Sequence, residues 1–230
     1  YTTLNCEKTI NSCYKKEVYD EFLPPILINN EGVIKDGDSL MWLNFRADRA
    51  KQILRSIANQ DFTDFKTEAM PNLKAYSFYE IDKGLNVNYL FDQDIVTNSL
   101  GKYFSELGLT QARIAETEKF AHVTYFFDGL YKGNLASCDK VLVPSPEVST
   151  YDEAPKMSAN EVCKKACNAM NKDYDFILVN FANPDMVGHT GNMEATIEAL
   201  KEVDRCLGEI IESSELNFYT LFLLADHGNA

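Results

Sequence analysis

The strongest constraint on the fold lies in the last third of the chain, where an apolar run, a long amphipathic helix and a second apolar run follow one another. Phe176–Phe181 (FILVNF) has the composition of a buried strand and leads into Asn183-Pro184. Met193, Ile197, Leu200, Val203, Leu207 and Ile210 then recur at helical spacing. Phe218–Leu224 is again strongly apolar. Strand, helix, strand is a βαβ unit, and its two strands lie parallel in a sheet covered on both faces. Each expected strand runs into an acid–histidine pair: Asp185-x-x-x-His189 in NPDMVGHTG and Asp226-His227 in LLADHGNA. In open α/β sheets the carboxyl edge of the strands is where ligands bind.

The same alternation extends towards the amino end. Ser39–Phe45 (SLMWLNF) suits a buried strand, followed by a helix with Ala50, Ile53, Leu54 and Ile57 on one face, and Leu73–Ile81 resembles another strand. The stretch from about Phe91 to Thr97 is the expected domain junction. Beyond it, Leu100, Tyr103, Phe104 and Leu107 mark an amphipathic helix stopped by Gly108. A strand is expected at Ala121–Phe127, and Ser158 with Glu161 has the form of a capping box opening the next helix.

Composition narrows the partners. A net charge of -13 with no offsetting basic run argues against nucleic acid. No apolar run approaches the roughly 20 residues of a membrane span, and no signal peptide opens the chain. Of the six cysteines, Cys163 and Cys167 lie four apart on an apolar helix face with Val162, Ala166 and Met170, which reads as core packing in a reduced setting. A start at Tyr1 and an end just past Asp226-His227 read as a fragment.

Two of the three histidines sit in the acid–histidine pairs. Carboxylate oxygen with neutral imidazole suits manganese, zinc, iron or cobalt better than calcium. Gly188 eases the turn that lets Asp185 and His189 reach one ion; Asp226 and His227 can share a site only where a strand has ended. The competing reading of either pair is a surface ion pair or a satisfied core histidine. His122, in the expected strand, is read as structural or as support for a ligand. Arg46 and Arg49 are three apart at the expected start of a helix, so both guanidiniums fall on one side, where they can clamp phosphate or carboxylate. Their competing reading is a solvated helix start. Nothing in Glu116-Thr117-Glu118-Lys119 taken alone distinguishes it from a surface ion pair.

The strings NFRADRA, RIAETEKFAHVTYFF, LVPSPEVSTYDEAPKMSANEV, NFANPDMVGHTGN and ADHGNA occur in this order. Together they resemble the cofactor-independent phosphoglycerate mutases of the alkaline phosphatase superfamily, from about Asp20-Glu21-Phe22 to the last residue. The resemblance implies an α/β fold, with the carboxyl part of an inserted substrate-binding (transferase) domain at 1–95 and part of a parallel-sheet phosphatase-like domain at 96–230. It implies an isomerase that interconverts 3- and 2-phosphoglycerate in glycolysis and gluconeogenesis through a phosphoserine. Two divalent ions serve it, manganese first and magnesium, cobalt or zinc as alternatives, without 2,3-bisphosphoglycerate. Asp185 and His189 match ligands of one metal, and Asp226 and His227 match ligands of the other. Arg46 and Arg49 match arginines that bind the phosphoglycerate, and Lys119 matches a lysine at the phosphoryl-transfer site.

The implied partner is a small-molecule substrate, the implied location cytoplasmic, and the full-length protein a monomer. The family's nucleophilic serine falls upstream of Tyr1 and its last histidine ligand beyond Ala230, so the piece alone is expected to be inactive. After YFF the family usually continues Asn-Gly-Gly, where this chain has Asp128-Gly129-Leu130. The alternatives are another metal-dependent phosphatase or phosphomutase of the superfamily, or a non-catalytic remnant.

Overall fold

The computed structural model describes residues 5–29, 31–44, 50–94, 96–131, 133–225 and 227–229. The chain divides into two compact units, Tyr1–Val18 with Phe22–Asp94, and Tyr19–Glu21 with Ile95–Ala230. No described helix is long and apolar enough to cross a membrane.

The first unit holds α1 (Cys6–Tyr14), β1 (Ser39–Trp42), α2 (Ala50–Ala58), β2 (Lys74–Ser77) and β3 (Asn88–Tyr89). Its strands form a parallel sheet in the order β1-β2-β3. The Asp36 carboxylate accepts from the Asn72 backbone N–H at 2.7 Å and from its amide at 2.8 Å, which ties together the loops that enter β1 and β2. Helix α2 buries Ala50, Leu54 and Ala58. Ile53, expected on that face, is exposed.

The second unit contains α3 (Leu100–Glu106), β4 (Gln111–Glu116), β5 (Cys138–Val143), α4 (Ala159–Met170), β6 (Phe176–Asn180), α5 (Asn183–Gly188) and α6 (Met193–Leu216). Its sheet is parallel in the order β5-β4-β6. All six residues of β4 are buried. On one face Ala112 and Ile114 join Val162, Cys163, Ala166 and Cys206 of α4 and α6 in the main core. The cysteines are free thiols, and Cys163 packs there as a small apolar residue.

Several elements differ from the sequence expectation. Ala121–Phe127 is no strand: Thr117–Lys119 forms a 3₁₀ turn and His122–Phe126 a π-helical turn. The segment that leaves β4 pairs with no described strand, and Thr124 Oγ1 instead donates back to the Phe120 carbonyl at 2.7 Å. Phe218–Leu224 forms no ladder either. Phe218 takes a left-handed φ of 59° after α6, the Tyr219 hydroxyl donates to the Tyr174 carbonyl at 2.5 Å, and the apolar side chains of residues 221–224 are exposed. Apolar composition states a need for burial; a strand also needs a neighbouring edge.

Helix α6 buries Ala195, Ala199, Cys206 and Ser214, where close approach to α4 and α5 selects short side chains; of the expected stripe Ile210 is buried, while Met193, Ile197 and Leu200 are exposed. In α3 the buried residue is Gly101; Leu100, Tyr103 and Leu107 face outward, and Gly108 closes the helix at φ 74° as expected. The capping box at Ser158 is absent: its hydroxyl donates to the Pro144 carbonyl at 2.7 Å and its N–H to Glu116 at 3.0 Å.

Three polar residues of β4 need partners. Gln111 donates to the Gly101 carbonyl at 2.9 Å and accepts from Arg113 Nη2 at 2.5 Å. Arg113 stacks on Phe127, 4.2 Å from the ring centroid, and faces Asp128 at 3.7 Å, with both side chains out of solvent. Gly101 makes room for the pair: a Cβ there would fall on Asp128 Oδ1 and Arg113 Nη2. Glu116 accepts from the Ser158 N–H at 3.0 Å and the Ser145 hydroxyl at 3.1 Å. Burial pushes its carboxyl up to about 7, against those two hydrogen bonds and with Glu118 adding to the rise.

Two outcomes follow for stability. Asp128→Asn should lower the unfolding free energy by about 3 kcal/mol, because Arg113 is left charged and buried without a counter-charge. Arg113→Met added to it should recover much of the loss; matching denaturation midpoints for wild type and Asp128→Asn would show that the pair contributes nothing. For Glu116 the folded value lies above the unfolded 4.5, so the native state binds the extra proton and stability falls as pH rises from 4.5 to about 7. That loss is at most about 3 kcal/mol. Glu116→Gln should flatten this part of the profile, as read by urea midpoints across the interval; an unchanged slope would exclude Glu116 as its source.

Candidate metal and phosphoryl-transfer site

Lys119, Asp185 and His189 converge at the carboxyl edge of the β5-β4-β6 sheet. The 3₁₀ turn that leaves β4 carries Lys119, and α5, two residues after β6, carries Asp185 in its first turn with His189 one turn later. Pro184 at the start of α5 fixes a helical φ where no intrahelical N–H is required. The four-residue spacing brings His189 Nε2 to 3.2 Å from Asp185 Oδ1. Lys119 Nζ donates to the other carboxylate oxygen, Oδ2. The Lys119 and Asp185 side chains are 6% and 16% exposed, whereas that of His189 is 52% exposed.

Asn229 completes the cluster. Its amide donates to the Asp185 carbonyl at 3.0 Å and to Oδ1 at 2.5 Å. A Cβ on Gly188 would lie 3.2 Å from the Asn229 carbonyl oxygen, so a glycine at 188 allows this close approach. Burial opposes the charge on Asp185, but the hydrogen bonds from Lys119 and Asn229, with the fields of Lys119 and His189, hold its carboxyl below the usual range.

An oxygen and a nitrogen 3.2 Å apart have the separation of adjacent ligands on one ion with bonds of about 2.1 Å. Asp185 and His189 therefore fit two positions on a divalent metal, and the mixed O/N donors suit manganese, cobalt or zinc. No group of three or more metal-ligating side chains occurs among the described residues. His227 is exposed, two residues from the Asn229 contact, while Asp226 lies outside the described residues. Arg46 and Arg49 lie outside them too, just ahead of α2. His122 belongs to the π-helical turn, with its ring centroid 5.3 Å from that of Phe126.

Sequence reasoning alone missed Lys119, Glu116 and Asn229. The signal for Glu116 and Lys119 is their place at the carboxyl end of a central strand, and that strand was itself hidden by its polar residues. The turn signal of Gly228-Asn229 was visible, but not that the amide reaches back 44 residues to Asp185.

Comparison with known proteins gives the family. The sequence model of the Metalloenzyme superfamily matches residues 45–230, and that of the BPG-independent PGAM N-terminus matches residues 2–83. A 2,3-bisphosphoglycerate-independent phosphoglycerate mutase of Legionella pneumophila (strain Lens) is 43% identical over 98% of this chain and 44% of its own length. The enzyme of the same name from Prochlorococcus marinus subsp. pastoris is 44% identical over 96% of this chain and 41% of its own length. This chain thus spans under half the length of the curated relatives it matches. Among solved structures, a phosphoglycerate mutase of Leishmania mexicana determined at low cobalt concentration superposes with a TM-score of 0.74 at 28% identity, over 94% of this chain and 41% of that one. The chain belongs to the Metalloenzyme superfamily, and within it is similar to the 2,3-bisphosphoglycerate-independent phosphoglycerate mutases.

Proposed function

We propose that this chain is part of a longer phosphoglycerate mutase, an isomerase that interconverts 3- and 2-phosphoglycerate in cytoplasmic glycolysis and gluconeogenesis without 2,3-bisphosphoglycerate. The observation that carries the reading is the convergence of a buried lysine, a partly buried aspartate and a histidine at one sheet edge, in a chain 43% identical to a mutase of that name. Asp185 and His189 would hold one divalent ion, and Asp226 and His227 the other. Manganese is the first candidate, since carboxylate and imidazole together match it. When bound, such ions neutralise charge on the oxygens of a transferring phosphoryl group.

The chain's own residues supply the rest. Lys119 is almost out of solvent, so its charge acts at short range in a low-dielectric setting, where a fixed cation best stabilises charge on equatorial phosphoryl oxygens. Its present partner, Asp185, orients the ammonium towards the metal-ligating edge. Arg46 and Arg49 would clamp the carboxylate or phosphate of the phosphoglycerate. Domain roles follow: residues 1–95 hold substrate and residues 96–230 carry out transfer. The full-length protein is proposed to act as a monomer.

Full-length protein with manganese should interconvert the two phosphoglycerates in an enolase-coupled assay. Lys119→Met should lower kcat by about 10²–10³ with bound metal retained, the range for loss of one transition-state stabilising group. His189→Ala should lose both metal and turnover, read by elemental analysis of the purified protein. Faster release of phosphate from a generic ester than mutase turnover would reassign the protein to a hydrolase, and wild-type kcat in Lys119→Met would remove the lysine from the chemistry.

A further inference from the structure

The segment between β5 and α4, Pro144–Ser158, carries one of the strings by which the chain resembles its family, yet supplies none of the ligands or substrate contacts above. It is nevertheless bonded to both halves of the site. Towards the Lys119 turn, the Ser145 N–H donates to Thr117 Oγ1 at 3.2 Å and the Ser145 hydroxyl to Glu116 Oε2 at 3.1 Å. The Ser158 N–H donates to Glu116 Oε1 at 3.0 Å, and the Tyr151 hydroxyl to Glu118 Oε1 at 2.8 Å. All three residues ahead of Lys119 are therefore held by this segment. Towards α5, the buried Asn183 amide donates to the Pro155 carbonyl at 2.9 Å, and the Asn192 amide to Asp152 at 3.3 Å. Tyr151 and Met157 also pack against the cluster of Val187, Ala195 and Ala199, which joins the helix that bears Asp185 to α6.

Lys119 and Asp185 are 66 residues apart in sequence and meet as a pair. Neither the 3₁₀ turn nor the short α5 can fix that meeting alone, because each is a single turn or two that leaves its own sheet edge. We propose that Pro144–Ser158 is the template that sets the separation of Lys119 from Asp185, with Glu116 and Tyr151 as positioning residues that act through it. Tyr151 is the most economical tie, since its hydroxyl holds the Lys119 turn while its side chain packs against the cluster shared by α5 and α6. The consequence for catalysis rests on the mutase reading; the mechanical claim does not.

The test uses the full-length protein with manganese. Tyr151→Phe removes one hydrogen bond and leaves the ring, so its melting temperature should stay close to wild type. Its kcat should fall about tenfold to a hundredfold, the scale of a displacement near 1 Å at a reacting centre. KM for phosphoglycerate should change by no more than about twofold, because the displaced group acts on the transition state rather than on substrate binding. Glu116→Ala should lose a comparable amount, and Glu116→Gln, which keeps an oxygen for the Ser158 N–H, should recover part of it. In parallel, amide hydrogen exchange on Tyr151→Phe should speed up in both 117–128 and 183–189. Unchanged kcat in Tyr151→Phe, no recovery with Gln, or faster exchange confined to 144–158 would overturn the template. If the wild-type protein shows no mutase turnover, the mutase reading fails and the exchange measurement alone decides the template.

Discussion

The second unit depends on one constraint: β4 is a central parallel strand covered on both faces, yet three of its six residues carry polar side chains. A parallel strand in this position normally reads as a continuous apolar run. Here each polar residue is matched from a different direction. Gln111 is met by α3, Arg113 by Asp128 and two aromatic rings, and Glu116 by the head of α4 and the turn after β5. Burying these groups unpaired would cost several kcal/mol, so the elements that surround β4 are fixed by polar demand as much as by apolar packing.

That demand also places the site. With β5 on one edge and β6 on the other, β4 is central, and the chain leaving it turns at the carboxyl edge. Glu116 anchors the turn at its start and the Arg113–Asp128 pair anchors it at its far end. Lys119 is held between these two buried acids. The parallel order brings the end of β6, and with it α5 and Asp185, to the same edge. A lysine and an aspartate far apart in sequence thus meet because two adjacent parallel strands end together.

Much of this was legible in the sequence, and the failures share a cause. Phe176–Asn180, the long helix and the Asp185/His189 pair were readable because apolar periodicity and i, i+4 spacing are local signals. The strand Gln111–Glu116 was not, since its polar residues are paid for by partners distant in sequence. Ala121–Phe127 has strand composition, but it closes its backbone bonds locally in a π-helical turn. The stripe on α6 misled in part for a related reason: Ala195 and Ala199 are buried where neighbouring helices come close, which large residues at 195 and 199 would prevent. Met193, Ile197 and Leu200 face outward, while Ile210 is buried as expected. Lys119 became visible through family resemblance, where residue chemistry alone left it among surface lysines.

Glu116 and Asp185 show how neighbours decide what burial does to an acid. Both are withdrawn from water and both accept two or more hydrogen bonds. Glu116 receives its bonds from a hydroxyl and a backbone N–H, neutral donors that do not offset desolvation, and its carboxyl rises to about 7. Asp185 receives one from a lysine, with a histidine beside it, and its carboxyl falls instead. The hydrogen bonds from Lys119 and Asn229, with the charges of Lys119 and His189 beside them, together outweigh the loss of hydration and reverse the sign. The two acids are therefore suited to different work. A carboxylate that stays ionised can serve as a metal ligand, and one whose charge burial partly suppresses can hold a backbone turn with less negative charge near Lys119.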